Sequence, residues 1–309
     1  MLTLGFDTST DTTSIAAYDG GEVVNCSRLL PVKQGELGLR QSDALFAHVK
    51  GLPELAEELF ARLGTRKIDA VGVSTRPRAV EGSYMPCFLA GVCQARVLAA
   101  ALGAPLVEVS HQQGHVAASL FGAGRLELLD RPHLAWHLSG GTTELLLVEP
   151  EGTNVYCTAI GGTTDISAGQ LIDRTAQLLG LPFPGGKALD ALSREAKGKE
   201  FFRVKCPDLA FSLSGVENQV RAFYQRTQSP AETAAFALKS VIAAVAAATR
   251  HARARYPGLE VVLAGGVSSN TLLRERMPDA VFCPPQYSTD NAAGVAVLAM
   301  RAMGGSHGA

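Results

Sequence analysis

The chain has 309 residues, 47% hydrophobic and 18% charged, a balance that suits a globular protein and excludes a disordered or fibrous one. Its 28 basic and 29 acidic side chains leave a net charge of −1, so no bulk electrostatic footprint marks a stand-alone nucleic-acid binder. A chain of this length can bury a sizeable core and points to two domains or lobes. The cysteines Cys26, Cys87, Cys93, Cys157, Cys206 and Cys283 are scattered without a CxxC pair and read as reduced, mostly buried thiols. The sequence opens on an apolar run with no basic leader, and its alanine-rich stretch around residues 241–249 is too short to span a bilayer. The expectation is a soluble cytoplasmic protein with no membrane association.

In chain order, residues 2–7 read as a strand, Thr8-Ser-Thr-Asp-Thr12 as a tight turn, and residues 13–19 as a returning strand. Gly20-Gly21 turns the chain into a third strand over 22–25. Residues 42–63 carry apolar side chains at helical spacing. A strand at 70–74, the loop Arg76-Pro77-Arg78 and a helix over 82–102 follow. A short strand at 106–109 then runs straight into Ser110-His111-Gln-Gln-Gly-His115. From here the pattern begins again: strand 134–138, the small-residue turn Ser139-Gly-Gly-Thr-Thr143, strand 144–149, a turn, and strand 155–160. Helices are expected over 167–179, from 188, over 216–226 and over 230–255, with a Pro/Gly loop at 182–186. A strand at 259–263 enters Ala264-Gly-Gly-Val-Ser-Ser-Asn270 and a capped helix. A strand near 280–283, the loop Tyr287-Ser-Thr-Asp-Asn291 and a terminal helix complete the chain. This duplicated strand–turn–strand order resembles the two-lobed actin-like ATPase superfold, of ribonuclease H-like, mixed α/β type, in which two phosphate loops hold a nucleotide. The expected lobes are residues 1–110, completed by a helix over 290–309, and residues 111–289 with the metal and adenylate motifs.

His111 and His115 stand four residues apart, so at a helix start both imidazoles lie on one face and can share a metal. A metalloprotease site would need a glutamate directly after the first histidine, and Gln112 cannot act as a base. Asp290 could complete a two-histidine, one-carboxylate set, or it could serve only as a helix cap with Asn291. Ser139-Gly140-Gly141 and Gly265-Gly266 follow buried strands, where backbone N–H groups can hold phosphate. Asp173 and Asp190 flank Pro184-Gly185-Gly186 and can accept hydrogen bonds from ribose hydroxyls, or be plain helix aspartates. The arginine clusters elsewhere read as solvated helix faces.

Taken together, the segments resemble the TsaD family of tRNA threonylcarbamoyladenosine synthases. The blocks, in order, are Asp7-Thr-Ser-Thr-Asp11, His111-Gln-Gln-Gly-His115, Leu138-Ser-Gly-Gly-Thr142, Gly169-Gln-Leu-Ile-Asp173, Leu179-Gly-Leu-Pro-Phe-Pro-Gly-Gly186, Phe211-Ser-Leu-Ser-Gly215, Gly265-Gly-Val-Ser-Ser-Asn270 and Ser288-Thr-Asp-Asn291. The resemblance implies that His111, His115 and Asp290 bind one divalent metal, iron or zinc. It implies that His137, Leu138, Ser139, Gly140 and Gly141, with Asp173, Gly186, Asp190 and Asn270, hold an ATP- or AMP-type adenylate. Asp7 and Asp11, the carboxylates of the first loop, are the catalytic candidates. The reaction implied is transfer of threonylcarbamoyl from its adenylate to an adenosine amine of tRNA, with TsaB-like and TsaE-like proteins as partners and a dimer left open.

Several positions depart from the family pattern. Thr12 and Gly162 stand where the family has glutamates, Arg76-Pro77-Arg78 replaces Gly-Pro-Gly, Glu217 replaces a lysine, and Thr142 replaces a histidine or asparagine. His137 stands where some relatives carry a tyrosine near the metal, and reads either as an extra ligand or as a histidine satisfied by a neighbouring strand. The alternatives carried forward are a paralogue acting as a carbamoyl- or acyl-adenylate transferase on another acceptor, and a non-catalytic nucleotide-binding regulatory subunit.

Overall fold

The computed structural model describes residues 1–31 and 39–304. The opening apolar run becomes β1 (Thr3–Thr8) and its partner β2 (Thr12–Tyr18), both buried along their whole length. Strands covered on both faces need no polar alternation, which is why these two read as near-continuous apolar or small-residue runs. β3 (Val23–Leu29) is the more exposed edge. The chain continues through α1 (Gln41–Leu63), β4 (Ala70–Arg76), α2 (Leu89–Leu102), β5 (Leu106–Ser110) and α3 (His111–Gly122). The strand order is β3-β2-β1-β4-β5, antiparallel from β3 to β1 and parallel from β1 to β5. The helix expected from residue 82 begins later, because Pro86 opens a separate 3₁₀ turn, Pro86–Phe88, ahead of α2.

A second sheet starts with β6 (His133–Leu138), β7 (Thr143–Glu151) and β8 (Asn154–Thr163). Then come α4 (Ala168–Leu178), α5 (Gly186–Ser193), β9 (Ala210–Phe211), α6 (Ser214–Thr227) and α7 (Pro230–Arg255). β10 (Val261–Ala264), α8 (Thr271–Arg276), β11 (Val281–Phe282) and the single turn α9 (Pro285–Ser288) follow. The order here is β11-β10-β6-β7-β8-β9. β6 pairs antiparallel with β7 and parallel with β10, as β1 does with β2 and β4, so the second sheet repeats the first and adds an edge strand. α7 is long and apolar enough to cross a membrane by composition, but 72% of that window is buried, where it packs in the core around Trp136 and Leu263.

The last helix, α10 (Ala293–Ala302), lies on β1, β4 and α3. Glycines make that approach close. A Cβ on Gly5 would lie 2.5 Å from the Ala292 carbonyl oxygen, and one on Gly294 would overlap the Gly114 carbonyl oxygen and lie 2.5 Å from Ala118 N. Two compact units result, one of Met1–Arg131, Glu149–Cys157 and Gln286–Ala309, the other of Pro132–Val148 and Thr158–Pro285. α3, expected with residues 111–289, is grouped here with the first unit, in which Gly114 lies against Gly294 of α10. Of the terminal helix expected over 290–309, the helical part is Ala293–Ala302, and residues 305–309 lie outside the described residues.

Candidate functional site

In the first unit, β5 ends at Ser110, which caps α3. The Ser110 hydroxyl accepts from Gln113 N at 3.2 Å, and Gln113 Oε1 accepts from Ser110 N at 2.8 Å, a reciprocal pair that fixes the first turn. His111 is therefore the first helical residue, with His115 one turn on; their rings meet edge to face, centroids 4.3 Å apart. Asp290, three residues before α10, accepts from His115 Nε2 at 2.9 Å through Oδ1, and His111 Nε2 lies 3.6 Å from the same oxygen. Ligand atoms of these three side chains all lie within 4.8 Å of one another. Bonds of about 2.0–2.1 Å to a tetrahedral first-row ion separate its ligands by about 3.3 Å, so small shifts bring this set onto one ion with positions to spare.

The turn between β1 and β2 supports this cluster. Asp7 is buried, and its Oδ2 faces His111 Nδ1 at 2.8 Å while Oδ1 accepts from Ser9 N at 3.1 Å. Asp7, expected as catalytic, thus has both oxygens engaged, one of them by His111. Ser9 Oγ donates to Asp290 Oδ2 at 2.8 Å. Asp11 is the exposed carboxylate of the turn; burial of its carboxyl raises its pKa first and Asp290 second, while His111 opposes them. Burial pulls the His111 imidazole down, but Asp7 and Asp290 outweigh it and hold the pKa well above 6.5. Burial pushes the Asp290 carboxyl up, and the two histidines overcome that and hold it well below 3.8. His48 on α1 escaped the sequence reading. It is fully buried, with Nε2 2.7 Å from the Ser9 carbonyl oxygen and Nδ1 2.8 Å from Thr13 Oγ1.

In the second unit the expected adenylate positions fall at the carboxyl end of β6 and on the helices beside it. Ser139 closes a tight turn, its N–H donating to Thr142 O at 2.8 Å and its Oγ accepting from Thr142 N at 3.0 Å. Within that turn a Cβ on Gly140 or Gly141 would meet no atom within 4 Å, so the turn's glycines face open space. Ser167, the cap of α4, donates to Gly140 O at 2.5 Å, and Gly169 N donates to Ser139 O at 3.2 Å. Gly265, at φ 91, lies against the Leu138 carbonyl, a conformation and a closeness only glycine allows. Leu138 is fully buried, while His137 lies half-buried on β6 opposite Glu144. Asp173 Oδ1 accepts from Gly185 N at 2.8 Å, beside Gly186. Asp190 on α5 receives Asn270 Nδ2 at 3.0 Å and Thr271 Oγ1 at 2.9 Å, which joins two expected ligand residues. Asn270 also caps α8, accepting from Leu273 N at 3.1 Å.

Most departures from the family pattern have local explanations. Thr12 is buried in β2. Gly162 adopts φ 128 with its would-be Cβ against the Thr143 carbonyl, so that site excludes any side chain. Glu217 is neutralised between Arg174 at 2.7 Å and Arg221 at 2.9 Å. Arg76 and Arg78 are exposed, and Pro77 O between them accepts from Gln112 N at 3.0 Å, which ties that loop to the start of α3. Asp165 was not singled out from the sequence. It accepts from Leu213 N at 2.8 Å and from Ser212 and Ser214, an external cap for α6 that holds its carboxyl down to about 2.

Solved structures of the same fold define the class. The chain is similar over its full length to 47% of full-length HypF in a phosphate- and nucleotide-bound form, with TM-score 0.61 and 15% identity. It is similar over 98% to 99% of component A of the Acidaminococcus fermentans (R)-2-hydroxyglutaryl-CoA dehydratase, with TM-score 0.55 and 16% identity. Such likenesses, with the repeated sheets, make this an α/β protein of the actin-like ATPase fold. A family model described as "TsaD: tRNA N6-adenosine threonylcarbamoyltransferase" matches residues 35–297. Relatives with that enzyme name include one from Bordetella avium, 31% identical over 97% of this chain and 91% of its own. Another from Geobacillus thermodenitrificans is 33% identical over 96% and 90%. The chain belongs to the TsaD family.

Proposed function

We propose that this protein is a tRNA threonylcarbamoyltransferase, moving a threonylcarbamoyl group from its adenylate to the exocyclic N6 amine of an adenosine. The observation that carries the reading is the convergence of His111 Nε2, His115 Nε2 and Asp290 Oδ1 at the carboxyl ends of β1, β4 and β5, in a chain that belongs to this family. Open α/β sheets place their ligands at that end of the strands. In the reaction, the amine nitrogen bonds to the carbamoyl carbon, the bond from that carbon to the phosphate oxygen breaks, and AMP departs with the electron pair.

A divalent ion, iron or zinc, held by the triad would supply Lewis acidity toward the carbamoyl or phosphate oxygens. The chain's own residues do the rest. Asp7 keeps His111 Nδ1 occupied, so that Nε2 is the ligating nitrogen. Asp11, with its raised pKa, takes the proton that the amine loses. In the second unit, the Ser139–Thr142 turn, through its Gly140 and Gly141 amides, is suited to a phosphate, and Asp190 with Asn270 to ribose hydroxyls. The reading takes tRNA as substrate, TsaB-like and TsaE-like proteins as partners, the cytoplasm as compartment, and a homodimer as an assembly to check by light scattering. It is tested by incubating the purified protein with those partners, tRNA, ATP, threonine and bicarbonate. Mass spectrometry of the digested nucleosides is expected to show threonylcarbamoyladenosine. No product, with an authentic relative active alongside, would overturn it.

A further inference from the structure

We infer that His48 is a positioning residue for the metal triad, acting through Ser9 to fix which oxygen of Asp290 faces an ion. This rests on the metal reading of the triad. The Ser9 carbonyl oxygen can only accept, so His48 Nε2 must carry the hydrogen of the 2.7 Å contact. A neutral ring then has a bare Nδ1, which accepts from Thr13 Oγ1 at 2.8 Å. Both nitrogens are used, no part of the ring meets solvent, and His48 has no route to a substrate. What it does hold is the backbone of Ser9, whose hydroxyl donates to Asp290 Oδ2 at 2.8 Å and whose N–H donates to Asp7 Oδ1 at 3.1 Å. One residue therefore grips both sides of the cluster, Asp290 directly and His111 by way of Asp7.

With Oδ2 occupied by Ser9, Asp290 presents Oδ1 alone to His111 Nε2 and His115 Nε2. An ion held by the triad would then be met by one carboxylate oxygen of Asp290 rather than by both. A buried imidazole suits this task, because it supplies one donor and one acceptor on a rigid ring. It can bridge a helix and two strand ends without leaving a buried polar atom unsatisfied.

The test uses Co(II) as a spectroscopic probe on full-length protein stripped by chelator, comparing wild type with His48→Leu, His48→Gln and Ser9→Ala. Glutamine carries an N–H near the position of Nε2 and serves as the conservative rescue. Affinity is read by competition with a chromophoric chelator, and site geometry by the cobalt d–d band. Expected are a loss of about 10–100-fold in affinity for His48→Leu and Ser9→Ala, each with an altered band, and recovery by His48→Gln. If His48→Leu does not fold, His48→Asn, whose shorter amide stays polar but does not reach the Ser9 carbonyl, takes its place and is expected to show the same loss. Unchanged affinity and band in Ser9→Ala, with wild type binding cobalt normally, would overturn the relay alone. Absence of cobalt binding by wild type would overturn the metal reading, and this inference with it.

Discussion

Gly294→Ala separates two helices that carry the cluster. The added methyl on α10 would overlap the Gly114 carbonyl oxygen and lie 2.5 Å from Ala118 N, both on α3. Ordinary contact needs about 3.5 Å, so the helices must part by about 1 Å or more. Overpacking on that scale costs about 3 kcal/mol, which lowers the melting temperature by about 6–12 °C for a domain of this size. The functional effect follows from where the ligands sit, because α3 carries His111 and His115 while Asp290 leads into α10. Metal–ligand distances tolerate about 0.2 Å. A parting of 1 Å therefore cuts metal affinity by at least about tenfold. Thermal unfolding followed by circular dichroism and a competitive metal titration measure both quantities. Gly215→Ala, whose Cβ meets no atom within 4 Å at the start of α6, serves as the control and should be neutral or slightly stabilising. Wild-type melting temperature and metal affinity in Gly294→Ala would refute the reasoning.

Four further outcomes follow from the structure. Metal must displace the proton that Asp7 and Asp290 hold on His111, so affinity should rise with pH until it passes the raised folded-state pKa, as a titration across pH would show. In the ion-free protein the sign reverses: the stability His111 lends is complete below 6.5 and fades as pH climbs through that raised value, while the share from Asp290 is complete above 3.8 and fades on acidification. Asp165→Asn should remove about 1 kcal/mol at neutral pH, after discounting its exposure. It should also flatten the acid limb between 3.8 and about 2 in acid-melting curves. Asn270→Ala removes one of the donors that hold Asp190 and uncaps α8, so AMP binding by calorimetry should weaken several-fold while the melting temperature falls by a few degrees.

The duplicated hairpins were legible because their strands are apolar and their turns are built of Gly, Ser and Thr, signals that lie within a few residues of one another. His111 and His115 were legible for the same reason, since one helical turn joins them. For Asp290 the residues left ligand and helix cap both open, and only the family pattern chose between them; its link to His115 spans 175 positions, which no local periodicity encodes. His48 was hidden in an apolar helical stretch, and its importance depends on a carbonyl 39 residues away. Asp165 was similarly invisible as a cap, because the helix it serves begins 49 residues later. The packing of α3 on α10 runs through Gly114 and Gly294, and single glycines in helices do not announce their neighbours.

The 175-residue separation between His115 and Asp290 also has a kinetic side. The first unit is assembled from three stretches of chain, with the second unit's segments between them. Closing a loop of n residues costs an entropy that grows as about (3/2)RT ln n. Prior folding of the intervening second unit would shorten the flexible path that α10 must close to reach β1 and α3. An ion bridging His115 and Asp290 would then act as a staple across the chain's longest detour, slowing unfolding of the first unit without adding to its core.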